Sequence, residues 1–349
     1  MNINKISLLK ALNKMFETAV TDAVFSTESL HGGTVGKVCR ISGKAVTNDG
    51  SSCPYTLVLK EQKKWERGGD PDSWRREYDI YQEIDKLNSV LPDNIRLPKC
   101  YYAEELIIKE TPAWHIYMED EKGSSGNKLN LDMLEYVMTE LGKFQAYICK
   151  NNPASLQNID CFSNRYINLG YGKERLIFIY KEVSDNIEPV DCDIIPEHLR
   201  DILTNKILNN IDSNIAAVEC LPKTLCHRDM WNANIFLSSD NIITLIDWDS
   251  SGWGFMGEDV VQLISELFVG GVFDIEDFEK YSRRLLSAYK SGASEHINID
   301  FLTDKIFREI FMLYCGHKIF WRYKYSGTEE EKIGWIKLLH KIYEMWFKH

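Results

Sequence analysis

The amino-acid sequence points to an α+β fold in two lobes, with an antiparallel sheet in residues 1–121 and a mostly helical lobe in residues 122–349. Three observations carry this reading. At 349 residues the chain is too long for one compact core. Residues 23–62 alternate apolar and polar positions as strands do, whereas the pattern after Leu129 has a helical period. Between residues 223 and 249, short apolar runs end in polar clusters, which puts chemistry at strand ends.

From the N-terminus, Lys5, Lys10 and Lys14 interrupt the apolar positions Ile6, Leu9, Leu12 and Phe16, the pattern of an amphipathic surface helix and not of a secretory segment. Val24, Phe25 and Leu30 lead into the turn His31-Gly32-Gly33-Thr34-Val35-Gly36-Lys37-Val38, and Val35, Val38, Ile41 and Val46 continue the alternation. Gly33 and Gly36 would let backbone amides approach an anion beneath a hairpin, although a plain hairpin turn explains the glycines equally well. The run Tyr55-Thr56-Leu57-Val58-Leu59-Lys60 is a strand ending in a lysine. Pro71 and Asp72 then open a helix with Trp74, Tyr78, Tyr81 and Ile84 on one face, which sets Glu77 beside that face with Glu83 as its rival. Residues 115–118 form a short strand running into the charged connector Glu119-Asp120-Glu121-Lys122-Gly123.

Leu134, Val137, Leu141, Phe144 and Ile148 mark a long amphipathic helix over residues 129–150. Residues 151–220 are less regular, with a polar loop at 151–164 and helical patterns around 175–183 and 199–218. Residues 223–226, 235–237 and 242–246 are short buried strands, and Glu258 opens a helix with an acidic first turn. The C-terminal region is aromatic-rich helix, in which Phe311, Tyr314, Phe320, Trp321, Tyr323, Tyr325, Trp335, Tyr343, Trp346 and Phe347 are expected to be mostly core. A few such faces could instead hold a quaternary ammonium group, and Trp231 and Trp253 are better placed to touch a substrate.

The sharpest signal is Cys226-His227-Arg228-Asp229-Met230-Trp231-Asn232-Ala233-Asn234-Ile235-Phe236, followed by Ile246-Asp247-Trp248-Asp249. A carboxylate, an amide five residues later and a second carboxylate thirteen residues further on all sit at strand ends facing one cleft. Phosphoryl transfer needs an oriented acceptor hydroxyl and phosphate charge neutralised by hard, oxygen-liganded magnesium. Asp229 suits the first task; Asn234 and Asp247 suit the second. A lone His-x-Asp would read as a turn with a capping carboxylate, but the joint spacing argues against that.

These motifs resemble those of the aminoglycoside phosphotransferase and choline kinase superfamily, small-molecule kinases of the protein-kinase-like fold. The resemblance implies Lys60 as the lysine that pairs the α- and β-phosphates, Glu77 as its partner, and Gly33 and Gly36 over the phosphates of ATP or GTP. It also implies a hinge at Glu119 to Glu121 whose main chain reads the purine edge, with the side chains there solvated. Asp259 would brace the catalytic loop by accepting main-chain hydrogen bonds, with helix capping as the alternative. Asp249 is either a second carboxylate near the metal or a turn residue. His227 is expected to be a satisfied buried histidine, and Arg228 departs from the small residue frequent at its position. Residues 249–257 leave no room for the activation segment of a protein kinase, which narrows the acceptor to a small alcohol.

Composition bounds the remaining possibilities. The net charge of −11 argues against a nucleic-acid partner. Residues 122–349 hold 25 basic and 33 acidic side chains, a net −8, which would favour a cationic acceptor if it does more than maintain solubility. Nine cysteines without a C-x-x-C pair suggest reduced thiols, and no apolar run is long enough for a bilayer, so a soluble, cytoplasmic protein without a membrane partner is expected. A nucleotide-binding regulatory module that lacks catalysis, and a protein kinase, remain the competing functions.

Overall fold

The computed structural model describes residues 3–30, 36–65, 72–163, 198, 208–316, 319, 322–323 and 325–348. It has two lobes, an N-terminal antiparallel sheet and a mostly helical C-terminal part. Helix α1 (Lys5–Phe16) starts at Asn4, whose side chain accepts from Ile6 N at 2.9 Å and satisfies one of the free amides of the first turn. It packs on the sheet through Leu8, Ala11 and Leu12. Ile6, expected on the buried face, is exposed instead.

The sheet is built from β1 (Val20–Ser29), β2 (Lys37–Thr47) and β3 (Ser52–Lys63), with β5 (Cys100–Ile108) and β6 (Thr111–Glu119) following α2 (Ser73–Gln82), α3 (Ile84–Asn88) and the two-residue β4 (Ile95–Arg96). Its order is β1-β2-β3-β6-β5, antiparallel throughout. Tyr55, Leu57 and Leu59 of β3 join Cys39, Ile41 and Tyr117 in the core beneath α1. Val58, Ile116 and Met118 belong to the other face, whose core is continuous with the second lobe. Lys60 shares the parity of Val58 and pairs in register with Ile116, so the two-residue pleat turns it toward that second face. Edge strand β1 departs from the expected alternation, because Val24 and Phe25 are both exposed.

In the second lobe α4 (Leu131–Asn151) lies along the helix Phe278–Ser294. A Cβ on Gly142 would come 2.2 Å from Tyr289 O, and one on Gly292 would come 1.9 Å from Thr139 O. Both positions therefore need glycine for the two backbones to approach. The segment expected as a polar loop over 151–164 instead contains the short helices Ala154–Gln157 and Asp160–Ser163. Leu156, Ile159 and Phe162, three residues apart, are fully buried and hold it down. The helical pattern around 175–183 lies outside the described residues; of that around 199–218, the helix Ile211–Glu219 is described.

Two small sheets flank the segments 227–234 and 246–251. One has the order β4-β10-β9-β7, from β7 (Ser124–Ser125), β9 (Ile235–Leu237) and β10 (Ile243–Leu245), with β4 parallel to β10. The other pairs β8 (Lys223–Cys226) with β11 (Gly252–Phe255). All three strands expected between residues 223 and 246 are present. Among the C-terminal aromatics, Phe311, Tyr323 and Trp346 are buried and Tyr325 is exposed, while Phe320, Trp321 and the Tyr314 side chain lie outside what the structure describes. No described helix is long and apolar enough to cross a membrane.

Candidate active site

Three segments far apart in sequence meet at one ammonium group. Lys60 Nζ, on the face of β3 that meets the second lobe, donates to Glu77 Oε2 from α2 and to Asp247 Oδ1 from the turn after β10. The Glu77 side chain is only 2% exposed. Burial works against the charge on Lys60, but Asp247 and Glu77 outweigh it and raise its pKa above the ordinary lysine value. Burial pushes the Glu77 carboxyl up, against the pull of Lys60. Glu83, the rival carboxylate, pairs with Lys86 at the surface.

The loop from β8 to β9 carries the other polar groups. Asn234 Nδ2 donates to Asp229 Oδ2 at 3.0 Å and to Asp229 O at 2.9 Å, which directs the amide oxygen of Asn234 away from Asp229. His227 is buried and satisfied: its Nε2 lies 2.9 Å from Ile246 O, and its Nδ1 lies 3.3 Å from Asp229 N. A carbonyl can only accept and an amide N–H can only donate, so the ring carries its proton on Nε2. Burial lowers the histidine's pKa and keeps this neutral tautomer. His227 thereby ties the Asp229 loop to the residue before Asp247.

The backbone at Arg228 (φ 63°) and at Asp247 (φ 64°) is left-handed, a conformation that costs a non-glycine residue about 1–3 kcal/mol. The helix Glu258–Val269 holds the strained loop in place. Asp259 accepts from His227 N at 2.9 Å and from Arg228 N at 2.8 Å, the main-chain bracing expected of it. Arg228 pairs with Glu258 at 3.1 Å and donates to Trp253 O at 2.7 Å, both charged side chains being buried. Arg228 is thus a bolt between the loop, β11 and the helix. Asp249 is tied through its carbonyl to the Arg76 guanidinium of α2, and its carboxylate, which accepts from Ser250 Oγ at 2.8 Å, adds to the field on Lys60.

The connector Glu119 to Glu121 does not have the solvated side chains expected of it. Arg96 of β4 holds Glu119 at 2.6 Å and Glu121 at 2.8 Å, and Arg40 of β2 pairs with Asp120 at 3.0 Å. A run that reads as a charged, solvated connector is locked by two arginines. Gly36 precedes β2, and a Cβ there would meet Gln62 Oε1 at 2.5 Å and Glu61 O at 2.9 Å, so its backbone packs closely against β3. Gly33 lies outside the described residues.

Sequence reasoning missed several partners. Gln262, one turn beyond Asp259, accepts from Met230 N and donates to Arg228 O, each at 3.0 Å. Gln145 of α4 donates to Asp259 Oδ2 at 2.8 Å and accepts from Tyr289 OH at 2.6 Å. Arg76, beside Glu77, is buried and is another. The available signal was polar residues on otherwise apolar helix faces, at helical spacing from residues already singled out.

Residues 189–295 match the model of the phosphotransferase enzyme family, APH, a span that contains Asp229, Asn234, Asp247 and Asp259. No curated protein matches the chain in sequence. Among solved structures, the amicoumacin kinase hAmiN, in complex with AMP-PNP, Ca2+ and Ami, is similar at a TM-score of 0.55 and 13% identity, over 91% of this chain and 88% of that one. An aminoglycoside 2'-phosphotransferase-IIIa mutant in its GDP complex is similar at a TM-score of 0.54 and 15% identity, over 99% of each chain. At these identities the likeness is one of fold. The chain shares the two-lobed, protein-kinase-like fold of these two structures, and residues 189–295 match the model of the phosphotransferase enzyme family.

Proposed function

We propose that the protein is an ATP- or GTP-dependent kinase that moves the γ-phosphate to a hydroxyl of a small molecule, with a cationic, aminoglycoside-like or choline-like alcohol as the favoured acceptor class. The observation that supports this most is the convergence of Lys60, Glu77 and Asp247 on one ammonium group, with Asp229 and Asn234 tied to the same turn through His227. In this reading Lys60 positions the α- and β-phosphates, held by Glu77. Asp229 orients the acceptor hydroxyl and takes its proton. The main chain at Glu119 to Glu121 would read the base, and backbone amides at Gly33 and Gly36 would approach the phosphates.

Asn234 and Asp247 would hold magnesium. Both offer hard oxygen donors, and magnesium takes one or two carboxylates together with phosphate oxygens and water, so a sparse protein donor set fits it. Among the described residues no group of three or more His, Cys, Asp or Glu is arranged to hold a metal. When bound, the ion would neutralise phosphate charge.

The acceptor class rests on the net −8 of residues 122–349 and on Trp231, which is 41% exposed two residues from Asp229. A peptide acceptor is disfavoured because a short turn and β11 alone separate Asp247 from the helix at Glu258. Asp229→Asn should abolish transfer while MgATP affinity stays within about twofold, because the change removes the proton acceptor and keeps the shape. Measured turnover in that variant would remove Asp229 from its role.

A further inference from the structure

Gln262 reaches the catalytic loop on both sides of one residue. Its Nε2 donates to Arg228 O and its Oε1 accepts from Met230 N, both at 3.0 Å. Arg228 O belongs to the peptide plane that precedes the α-carbon of Asp229, and Met230 N belongs to the plane that follows it. Fixing the two planes fixes φ and ψ of Asp229, and with them the direction in which its side chain leaves the backbone. The same planes are held from elsewhere by His227 Nδ1 on Asp229 N and Asn234 Nδ2 on Asp229 O. Asp259 grips the loop only upstream, at His227 N and Arg228 N.

We infer that Gln262 is a positioning residue for phosphoryl transfer, a bidentate amide clamp that sets the orientation of Asp229. The inference deepens the proposed function and rests on Asp229 being the proton acceptor. The chemistry of the clamp is specific to an amide, because a carbonyl needs a donor and an N–H needs an acceptor, and both must come from one planar group. A carboxylate supplies only the acceptor. The clamp is also stiff at its base, since Val260, Val261, Leu263 and Ile264 around it are buried in the helix Glu258–Val269. Misplacing a catalytic group by about 1 Å can cost about 100-fold in rate, so a rigid amide at this point acts on kcat.

The test compares wild type with Gln262→Met, which keeps length and shape and loses both bonds, and Gln262→Glu, which keeps the acceptor and loses the donor. Turnover of MgATP is read as ADP release, with water or a stimulating alcohol as acceptor, and exchange of the Met230 amide is followed in parallel. In both variants kcat should fall about 10- to 100-fold while KM for MgATP stays within about twofold, and in Gln262→Met the Met230 amide should exchange faster without loss of the folded state. A Gln262→Met enzyme with wild-type kcat, or one whose lost activity merely tracks lost folded protein, overturns the inference and leaves the kinase reading standing. A wild type that releases no ADP under any acceptor overturns the kinase reading and takes this inference with it.

Discussion

Arg228 sits left-handed in the loop between β8 and β9, and its guanidinium binds Glu258 and the carbonyl of Trp253, both well removed in sequence. A buried ion pair whose partner is removed leaves one charge stranded, at a cost of about 3–5 kcal/mol. Arg228→Met should therefore lower unfolding stability by about that much in a urea titration. A change under about 1 kcal/mol would show that Glu258 finds another partner or is neutral. The role of Arg228 was not legible from sequence, because its partners are fixed only when β8 pairs with β11. Asp229, Asn234 and Asp247 were legible for the opposite reason: short strands on either side bring their neighbourhood together by local spacing alone. His227 lies between these cases, since its burial could be read from its place at the end of β8, whereas its bond to Ile246 O required the fold.

Helix α2 shows how one element couples the two halves of the site. Arg76 and Glu77, adjacent in sequence and both buried, point about 100° apart around the helix axis, one to the Asp249 carbonyl and the other to Lys60. Glu77 is visible because it neighbours the apolar stripe of Trp74 and Tyr81, whereas nothing in the local sequence marks Arg76 as buried. Similar physics explains the misread faces elsewhere. In α1, Ile6 is as apolar as Leu8, and only the position of the sheet decides that Leu8, Ala11 and Leu12 go inward. In residues 154–163 the polar composition masked three buried anchors, Leu156, Ile159 and Phe162, each followed by polar residues. β3 lies where its apolar run places it, with Lys60 on the face of Val58, but the strand does not end at the lysine: its pairing with β6 carries it on to Lys63.

At the scale of the molecule the lobes are joined by the hinge, whose carboxylates are held by Arg96, from a strand paired with β10 of the second lobe, and by Arg40 of the sheet. These partners lie 25 and 80 residues away in sequence, which is why a Glu-Asp-Glu-Lys run reads as solvated. Burial and the neighbouring Glu119 push the Glu121 carboxyl up from 4.5 to about 7, with Arg96 opposing. For Glu119 burial also works upward, but the Arg96 hydrogen bond outweighs it and the net shift is down. A carboxyl whose folded pKa is raised contributes stability that is fully present below its unfolded pKa and lost as pH rises through its folded one. Glu121→Gln, which cannot titrate, should therefore gain thermal stability relative to wild type as pH rises from about 5 to about 8. Parallel curves over that range would show that the carboxyl titrates normally. The central claim concerns chemistry, and phosphorus NMR on the wild-type protein tests it most directly, with MgATP and a panel of cationic and neutral alcohols. The account predicts a magnesium-dependent phosphomonoester signal that appears in step with ADP for at least one alcohol. Tight magnesium-dependent nucleotide binding with neither signal across the panel would contradict it and leave a nucleotide-binding module in place of a kinase.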